Sequence, residues 1–101
     1  MSDKLHTESI NDLFDAILTL KTKEECYTFF EDACTIKELL SIAQRLSVAK
    51  LLKKGETYLD ISNKTGASTA TISRVNRSLV YGHDGYDLVI NRLDKKNEYK
   101  S

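Results

Sequence analysis

The sequence has no proline, no tryptophan and only two cysteines among its 101 residues. Cys26 and Cys34 form no CxxC pair and have no histidine at metal-ligand spacing, so neither a disulfide framework nor a zinc site is expected. We expect both thiols to be reduced and buried. No run of about 18 uncharged apolar residues occurs, which excludes a membrane-spanning helix. The polar, acidic start lacks the basic and apolar regions of a signal peptide, so we expect a cytoplasmic protein.

A chain of this length has the usual size of one domain, and residues 1–101 are interpreted as a single domain. A subunit this small often completes its core by dimerising. The net charge is zero, but the charges are unevenly distributed. Residues 1–43 carry four Lys and nine acidic residues, a net charge of −5, whereas residues 44–80 carry seven basic and two acidic residues, a net charge of +5. Such a basic block indicates either a nucleic-acid contact surface or a solvated basic face.

Matches to the S/T-x-x-E/D capping box predict where several helices begin, because the box pairs amides that a helix start leaves without partners. The boxes are Ser9–Asp12, Thr22–Glu25, Thr35–Glu38 and Thr57–Asp60. Apolar residues at the three-and-four spacing of an amphipathic helix follow them. Gly55 and Gly66 are expected to end helices, and Ser68 to cap the next one. The prediction is an all-α chain of six helices without strands.

The predicted segments are N-terminal dimerisation helices at 9–34, a long core helix at 35–55, a helix-turn-helix at 57–80 and a C-terminal helix at 86–96. Aromatic residues favour the assignment of the first segment to dimerisation. Phe29 and Phe30 are adjacent, so they point about 100° apart around a helix and a single face does not cover both. Either a second subunit covers them or both lie in a monomeric core.

Residues 57–77, TYLDISNKTGASTATISRVNR, have the layout of a helix-turn-helix. The small Ser62 allows the first helix to cross closely over the second, and Gly66 permits the turn between them. Ile72 and Val75 then face the core. What remains on the second helix faces outward and is small, hydroxyl-bearing or basic.

Small side chains at the start of the second helix allow close entry into a major groove, and the amides of a helix N-terminus favour phosphate. The predicted DNA-binding residues are Lys64, Ser68, Thr69, Ala70, Thr71, Ser73, Arg74 and Arg77. The alternative is an ordinary helical hairpin with an exposed hydroxyl-rich face, although threonine is a poor choice for an exposed helix.

Several short motifs lie between residues 35 and 82: Leu51-Leu52 followed by basic residues and Gly55, then Gly66-Ala67, Ala70-Thr71-Ile72, Arg74 and Ser78-Leu79. With these motifs the chain resembles the tryptophan repressor family, and most closely its YerC/YecD-like branch in bacteria. The resemblance implies an all-helical, intertwined homodimer with interlocked N-terminal helices. It also implies a double-stranded DNA partner, with a near-palindromic operator read in successive major grooves about 34 Å apart.

The resemblance further implies four possible ligand-binding residues at the positions that hold the corepressor in tryptophan repressors. They are Thr35, Arg45, Arg74 and Ser78. In those repressors a glycine follows the second arginine and lines the slot for the indole, whereas Val75 stands here and should fill that slot. We therefore expect that tryptophan does not bind, and whether another small molecule does is left open. The other interpretation of Arg45 is a partner for a carboxylate or phosphate, and that of Arg74 is a DNA-backbone contact.

The leading hypothesis is a homodimeric bacterial transcriptional regulator, a repressor, that binds duplex DNA sequence-specifically through the helix-turn-helix. The alternative is a helical protein-interaction module that docks a partner protein through the same hairpin. An enzyme is not expected, because His6 and the pair His83-Asp84 have no nucleophile or second ligand nearby in the sequence. No cofactor, metal ion or membrane partner is predicted.

Overall fold

The computed structural model describes residues 3–100. These residues form six α-helices, preceded by one turn of 3-10 helix at Asp3–Leu5. The helices are α1 (Glu8–Ile17), α2 (Lys23–Ala33), α3 (Ile36–Lys53), α4 (Tyr58–Thr65), α5 (Thr69–Tyr81) and α6 (Gly85–Lys100). Since residues 3–100 contain no β-strand, the prediction of an all-α chain of six helices is confirmed. None of these helices is both long and apolar enough to cross a membrane.

A complete capping box starts α3. The hydroxyl of Thr35 accepts a hydrogen bond from the backbone N–H of Glu38 at 3.1 Å, and the Glu38 carboxylate accepts one from the Thr35 N–H at 2.8 Å. Hydrogen bonding to the carboxylate lowers the pKa of Glu38, first from the Thr35 N–H and then from the Thr35 side chain, because it stabilises the charged form. This local pair fixes the beginning of the longest helix.

Single hydroxyl caps start four of the other helices. Thr22, Thr57 and Ser68 each accept a bond from the backbone N–H three residues later, as predicted. The prediction that Ser9 caps α1 is wrong: Thr7 is the cap, and its hydroxyl accepts from the N–H of Ile10 at 3.2 Å. Threonine two residues earlier offers the same chemistry, and its position adds a further half-turn to the helix.

Two left-handed glycines separate α3, α4 and α5. Gly55 has φ +84° and Gly66 has φ +75°, which confirms the predicted helix-ending positions. Only glycine adopts this left-handed backbone conformation at little cost, so a residue with a side chain would be strained at either position. The two glycines therefore delimit α4 and set the entry into α5.

The chain divides into two compact units, one ending at Leu39 and the other beginning at Leu40. A single cluster of buried side chains from α3, the α4–α5 hairpin and α6 forms the core of the second unit. Its members are Val48, Ala49, Ile61, Ala67, Ile72, Val75 and Ile90. Ile72 and Val75, which were predicted to face the core, are at most 1% exposed. The core thus lies directly beneath α5 and holds the hairpin in place.

A salt bridge joins α3 to α6 in the second unit. The ammonium group of Lys53 in α3 binds the carboxylate of Asp87 in α6 and also donates to the side-chain oxygen of Asn91 at 3.3 Å. Because both partners of the ion pair are partly exposed, it contributes at most about 1 kcal/mol to the free energy of unfolding. Its contribution to holding α6 against α3 is therefore small.

The first unit has apolar side chains but no buried residue in α1 or α2. Phe14 is 55% exposed, Leu18 is 81% exposed and Ile36 is 80% exposed. Cys26 is exposed and Cys34 is only half-buried, so the expectation of two buried thiols is wrong for the single chain, although both are free thiols. The reason is that nothing in one copy covers these faces. The interpretation of residues 1–101 as one domain stays a prediction.

Candidate nucleic-acid interface

Two hydroxyl groups fix the turn between α4 and α5. The Ser62 hydroxyl donates to the carbonyl oxygen of Ala67 at 2.9 Å. The Thr65 hydroxyl donates to the carbonyl oxygen of Ile61 at 2.7 Å and accepts from the backbone N–H of Ala67 at 3.1 Å. Both polar groups of Ala67, a residue only 2% exposed, are therefore satisfied by side chains of α4. The small residues Ser62 and Gly66 predicted a close crossing of the two helices, but the sequence did not predict these hydrogen bonds.

The first turn of α5 carries no acidic residue. Ser68 caps the helix through the N–H of Thr71 at 3.1 Å, and its hydroxyl also donates to that of Thr71 at 3.1 Å. Thr69 and Ala70 are exposed, and the first backbone amides of a helix have no partner within it. An anion, such as a DNA phosphate, is favoured at this end of α5.

One face of α5 collects most of the predicted DNA-binding residues. At 100° per residue, Thr69, Ser73, Arg77, Ala70 and Arg74 fall within an arc of about 140°. The structure leaves all five exposed. Ile72 and Val75 lie on the opposite side and are buried in the core. Thr71 lies about 60° outside this arc, on the side toward Val75, and is half-buried. The helix therefore offers one small, basic face outward.

Lys64 differs from the two arginines of this face because it has an intramolecular partner. Its ammonium group lies 2.6 Å from the carboxylate of Glu56, just before α4. The hydrogen bond with Glu56, followed by the attraction of its charge, raises the pKa of Lys64. Glu56 was not singled out from the sequence, because a separation of eight residues across a helix start matches no helical pairing rule.

The four possible ligand-binding residues have local partners in the structure. Thr35 caps α3 and belongs to the first unit. Arg45 donates from Nε to the carbonyl oxygen of Ser41 at 3.4 Å, and Ser78 donates from its hydroxyl to the carbonyl oxygen of Arg74 at 3.3 Å. Each of these bonds stays within one helix or its cap. They do not test the assignment of a ligand site, which stays a prediction.

Comparison with known proteins identifies the family of this chain. A model of the Trp repressor protein family matches residues 8–94. The chain belongs to the Trp repressor family. The uncharacterized protein YerC of Bacillus subtilis (strain 168) is 54% identical over 99 residues, which cover 98% of this chain and 94% of YerC. The resemblance that the sequence motifs indicated, including its YerC-like branch, is confirmed.

Solved structures of Trp repressor relatives share the fold. A TrpR-like protein from Eubacterium eligens ATCC 27750 is 62% identical, with a TM-score of 0.90 over 92% of this chain and 96% of that protein. A protein from Staphylococcus aureus, described as a candidate Trp repressor, is 53% identical, with a TM-score of 0.90 over 93% of this chain and 95% of its own. Trp repressor-like proteins are regulatory DNA-binding proteins, so this chain is not an enzyme.

Proposed function

We propose that this member of the Trp repressor family is a homodimeric repressor of transcription that binds a specific duplex DNA sequence in the bacterial cytoplasm. The exposed, acid-free face of α5 supports this function above all other observations. A core of buried side chains holds that face rigidly, because Ile72 and Val75 anchor the other side of the same helix. A rigid helix with a small, basic outer face is what entry into a major groove requires.

The side chains of the face divide by their chemistry into two roles. Thr69, Ala70 and Ser73 are small enough for close approach to base edges, where they offer hydroxyl hydrogen bonds and contacts to thymine methyl groups. Arg74 and Arg77 contact phosphates, which position the protein and make its affinity depend on salt. Lys64 adds to the phosphate contacts only after it exchanges Glu56 for DNA.

The unburied N-terminal unit supports the dimeric part of the proposal. α1 and α2 bury no residue within one chain, although Phe14, Leu18 and Tyr27 are more than half exposed. A second copy that covers these faces supplies the missing core, since burial stabilises by about 25 cal/mol per Å² of apolar area. Two hairpins related by twofold symmetry read half-sites about 34 Å apart, so the operator is a near-palindrome.

We further propose that tryptophan is not the corepressor. Val75, which follows Arg74, is 1% exposed and belongs to the core of the second unit. A side chain there occupies the space that a glycine leaves to the indole in tryptophan repressors. An indole ring would have to displace a packed β-branched side chain. The free-energy cost of that displacement opposes binding of the ring.

A selection from random duplexes tests the function directly. The purified chain is incubated with the pool near physiological salt, with and without tryptophan, and the retained duplexes are sequenced. The proposal expects a near-palindrome that is enriched equally in both arms. Enrichment only with tryptophan would overturn the corepressor argument. No enrichment, together with specific capture of one protein through the hairpin, would favour the interaction module instead.

A further inference from the structure

An open groove of about 670 Å³ lies in the second unit, where α3 faces the end of α4. Its apolar lining comes from Leu40, Ala43 and Leu51. Three lysines, Lys50, Lys54 and Lys64, also line it. The groove is separate from the outer face of α5, and none of the four positions that the family resemblance links to a corepressor lines it.

The charge of the groove is one-sided. No acidic residue is among the described residues that line it. Lys50 lies in the last turn of α3 and Lys54 directly after its end, four residues further on, a spacing at which like charges repel each other. Lys64 is the one lysine of the three with an ion-pair partner in the described chain, Glu56, which is not part of the lining. An anion in the groove would relieve the repulsion between Lys50 and Lys54.

The apolar lining narrows the class of anion. Leu40 is 64% exposed and Leu51 is partly buried, so the groove presents apolar surface to water next to its charges. A bare phosphate ion gains nothing from such a surface, whereas an apolar body covers it and gains transfer free energy. We propose that the groove binds a small organic anion, with its apolar body against Leu40, Ala43 and Leu51 and its carboxylate or phosphate beside the lysines.

Polar groups of the groove connect it to the turn of the hairpin. Gln44 donates from Nε2 to the carbonyl oxygen of Thr65 at 3.2 Å, and both residues line the groove. The hydroxyl of Thr65 in turn accepts from the N–H of Ala67, directly before the cap of α5. A ligand that contacts Thr65 therefore acts on the turn that leads into α5. This consequence rests on the proposed function, but the binding itself does not.

Binding is measured on the full chain by NMR titration of the backbone amides, without DNA. The probes are hexanoate and phenyl phosphate, compared with the neutral hexanamide and with inorganic phosphate. We expect saturable shifts at 40–54 and 64–65 with the two organic anions and no saturable shifts with the neutral probe or the bare ion. The double variant Lys50→Gln, Lys54→Gln should weaken binding about tenfold, whereas Lys95→Gln, Lys96→Gln in α6 should leave it unchanged.

Four results would overturn the assignment. They are no saturable shift with either organic anion, equal binding of hexanamide, unchanged affinity in the groove variant, and shifts centred on Arg45 and Arg74 instead of the groove. If duplex DNA shifts 40–54 while the organic anions do not, the lysines are a DNA-backbone contact and the proposal is wrong. If the anions bind but no duplex is selected, the groove stands and the proposed DNA-binding function fails.

Discussion

Ser62 of α4 donates its hydroxyl proton to the carbonyl oxygen of Ala67 at 2.9 Å and so joins the first helix of the hairpin to the residue before the cap of the second. Ala67 is almost completely buried, so its carbonyl has no access to bulk water as an alternative partner. The angle at which α5 leaves the turn therefore depends on a side chain of α4. Both this bond and the packing of the core therefore determine the orientation of the outer face of α5.

Replacing Ser62 with Ala should lower the free energy of unfolding by about 1–3 kcal/mol, because a buried carbonyl loses its partner. Urea unfolding followed by circular dichroism measures the change. Ser41→Ala, at an exposed position of α3, is the matched control and should change stability by less than about 0.5 kcal/mol. Equal effects of the two substitutions would show that the Ser62 bond does not stabilise the turn.

The core under the hairpin should depend on Ile61, which is fully buried in α4. Ile61→Ala removes buried methyl and methylene groups and leaves a cavity, so the free energy of unfolding should fall by about 2–5 kcal/mol. Leu59 lies two residues earlier in the same helix and is 71% exposed. Leu59→Ala should therefore stay within about 0.5 kcal/mol of the original chain in the same denaturant titration.

Replacing either arginine on the outer face of α5 should weaken DNA binding without changing the sequence preference. On the proposed function each arginine contacts one phosphate, so Arg74→Ala and Arg77→Ala should each lower the slope of log affinity against log salt by about one. Ser73→Ala should instead change the preferred bases and leave the salt slope unchanged, since on the same proposal Ser73 contacts base edges in the major groove and carries no charge. Fluorescence anisotropy with the selected duplex at several salt concentrations distinguishes the two effects.

Arg92 of α6 provides the control for these charge changes. It is exposed and carries the same charge, but it lies outside the hairpin. Arg92→Ala should leave both affinity and salt slope close to those of the original chain. A loss as large as that of Arg77→Ala would mean that the whole protein's positive charge, and not the face of α5, determines the affinity.

Local patterns were sufficient to predict the helices and the inner face of α5. Caps depend on a few neighbouring residues, so the hydroxyl caps at Thr22, Thr35 and Thr57 could be found from the sequence, although only Thr35 forms the complete box. The start of α1 was placed wrongly because Thr7 and Ser9 are both suitable caps, and the capping-box pattern does not distinguish them. Helical periodicity placed Ile72 and Val75 correctly in the core.

Interactions across the chain could not be predicted in this way. The bond from Gln44 to Thr65 spans 21 residues, and the lysine groove exists only because α3 packs beside the end of α4. The ion pair of Lys64 with Glu56 crosses the start of α4 at a spacing that no helical rule describes. The exposure of Cys26 was missed for a related reason, since burial depends on what covers the helix and the sequence of one chain does not show it.

The exposed apolar face of α1 should be an interface between two copies. In a monomer, Phe14→Glu would replace a side chain that is 55% exposed and would change little. In a dimer it places a charge in an apolar contact, so the dissociation constant should rise by at least about tenfold. Sedimentation equilibrium over a range of concentrations measures it. Leu59→Glu, at a more exposed apolar position of the second unit, is the control and should leave the dimer intact.

The capping box of α3 should make the free energy of unfolding depend on pH in the acidic range, through the carboxylate of Glu38. The folded pKa of Glu38 lies below its ordinary value of 4.5, so the carboxylate's contribution is fully present above pH 4.5 and is lost as the pH falls through the lowered pKa. Thr35→Ala removes the hydroxyl bond but keeps the backbone N–H that has the larger effect, so the pKa of Glu38 should rise only part of the way. Carboxyl-detected NMR titration measures it, with Thr28→Ala in α2 as the matched control. An unchanged Glu38 pKa in Thr35→Ala would show that the hydroxyl does not stabilise the carboxylate.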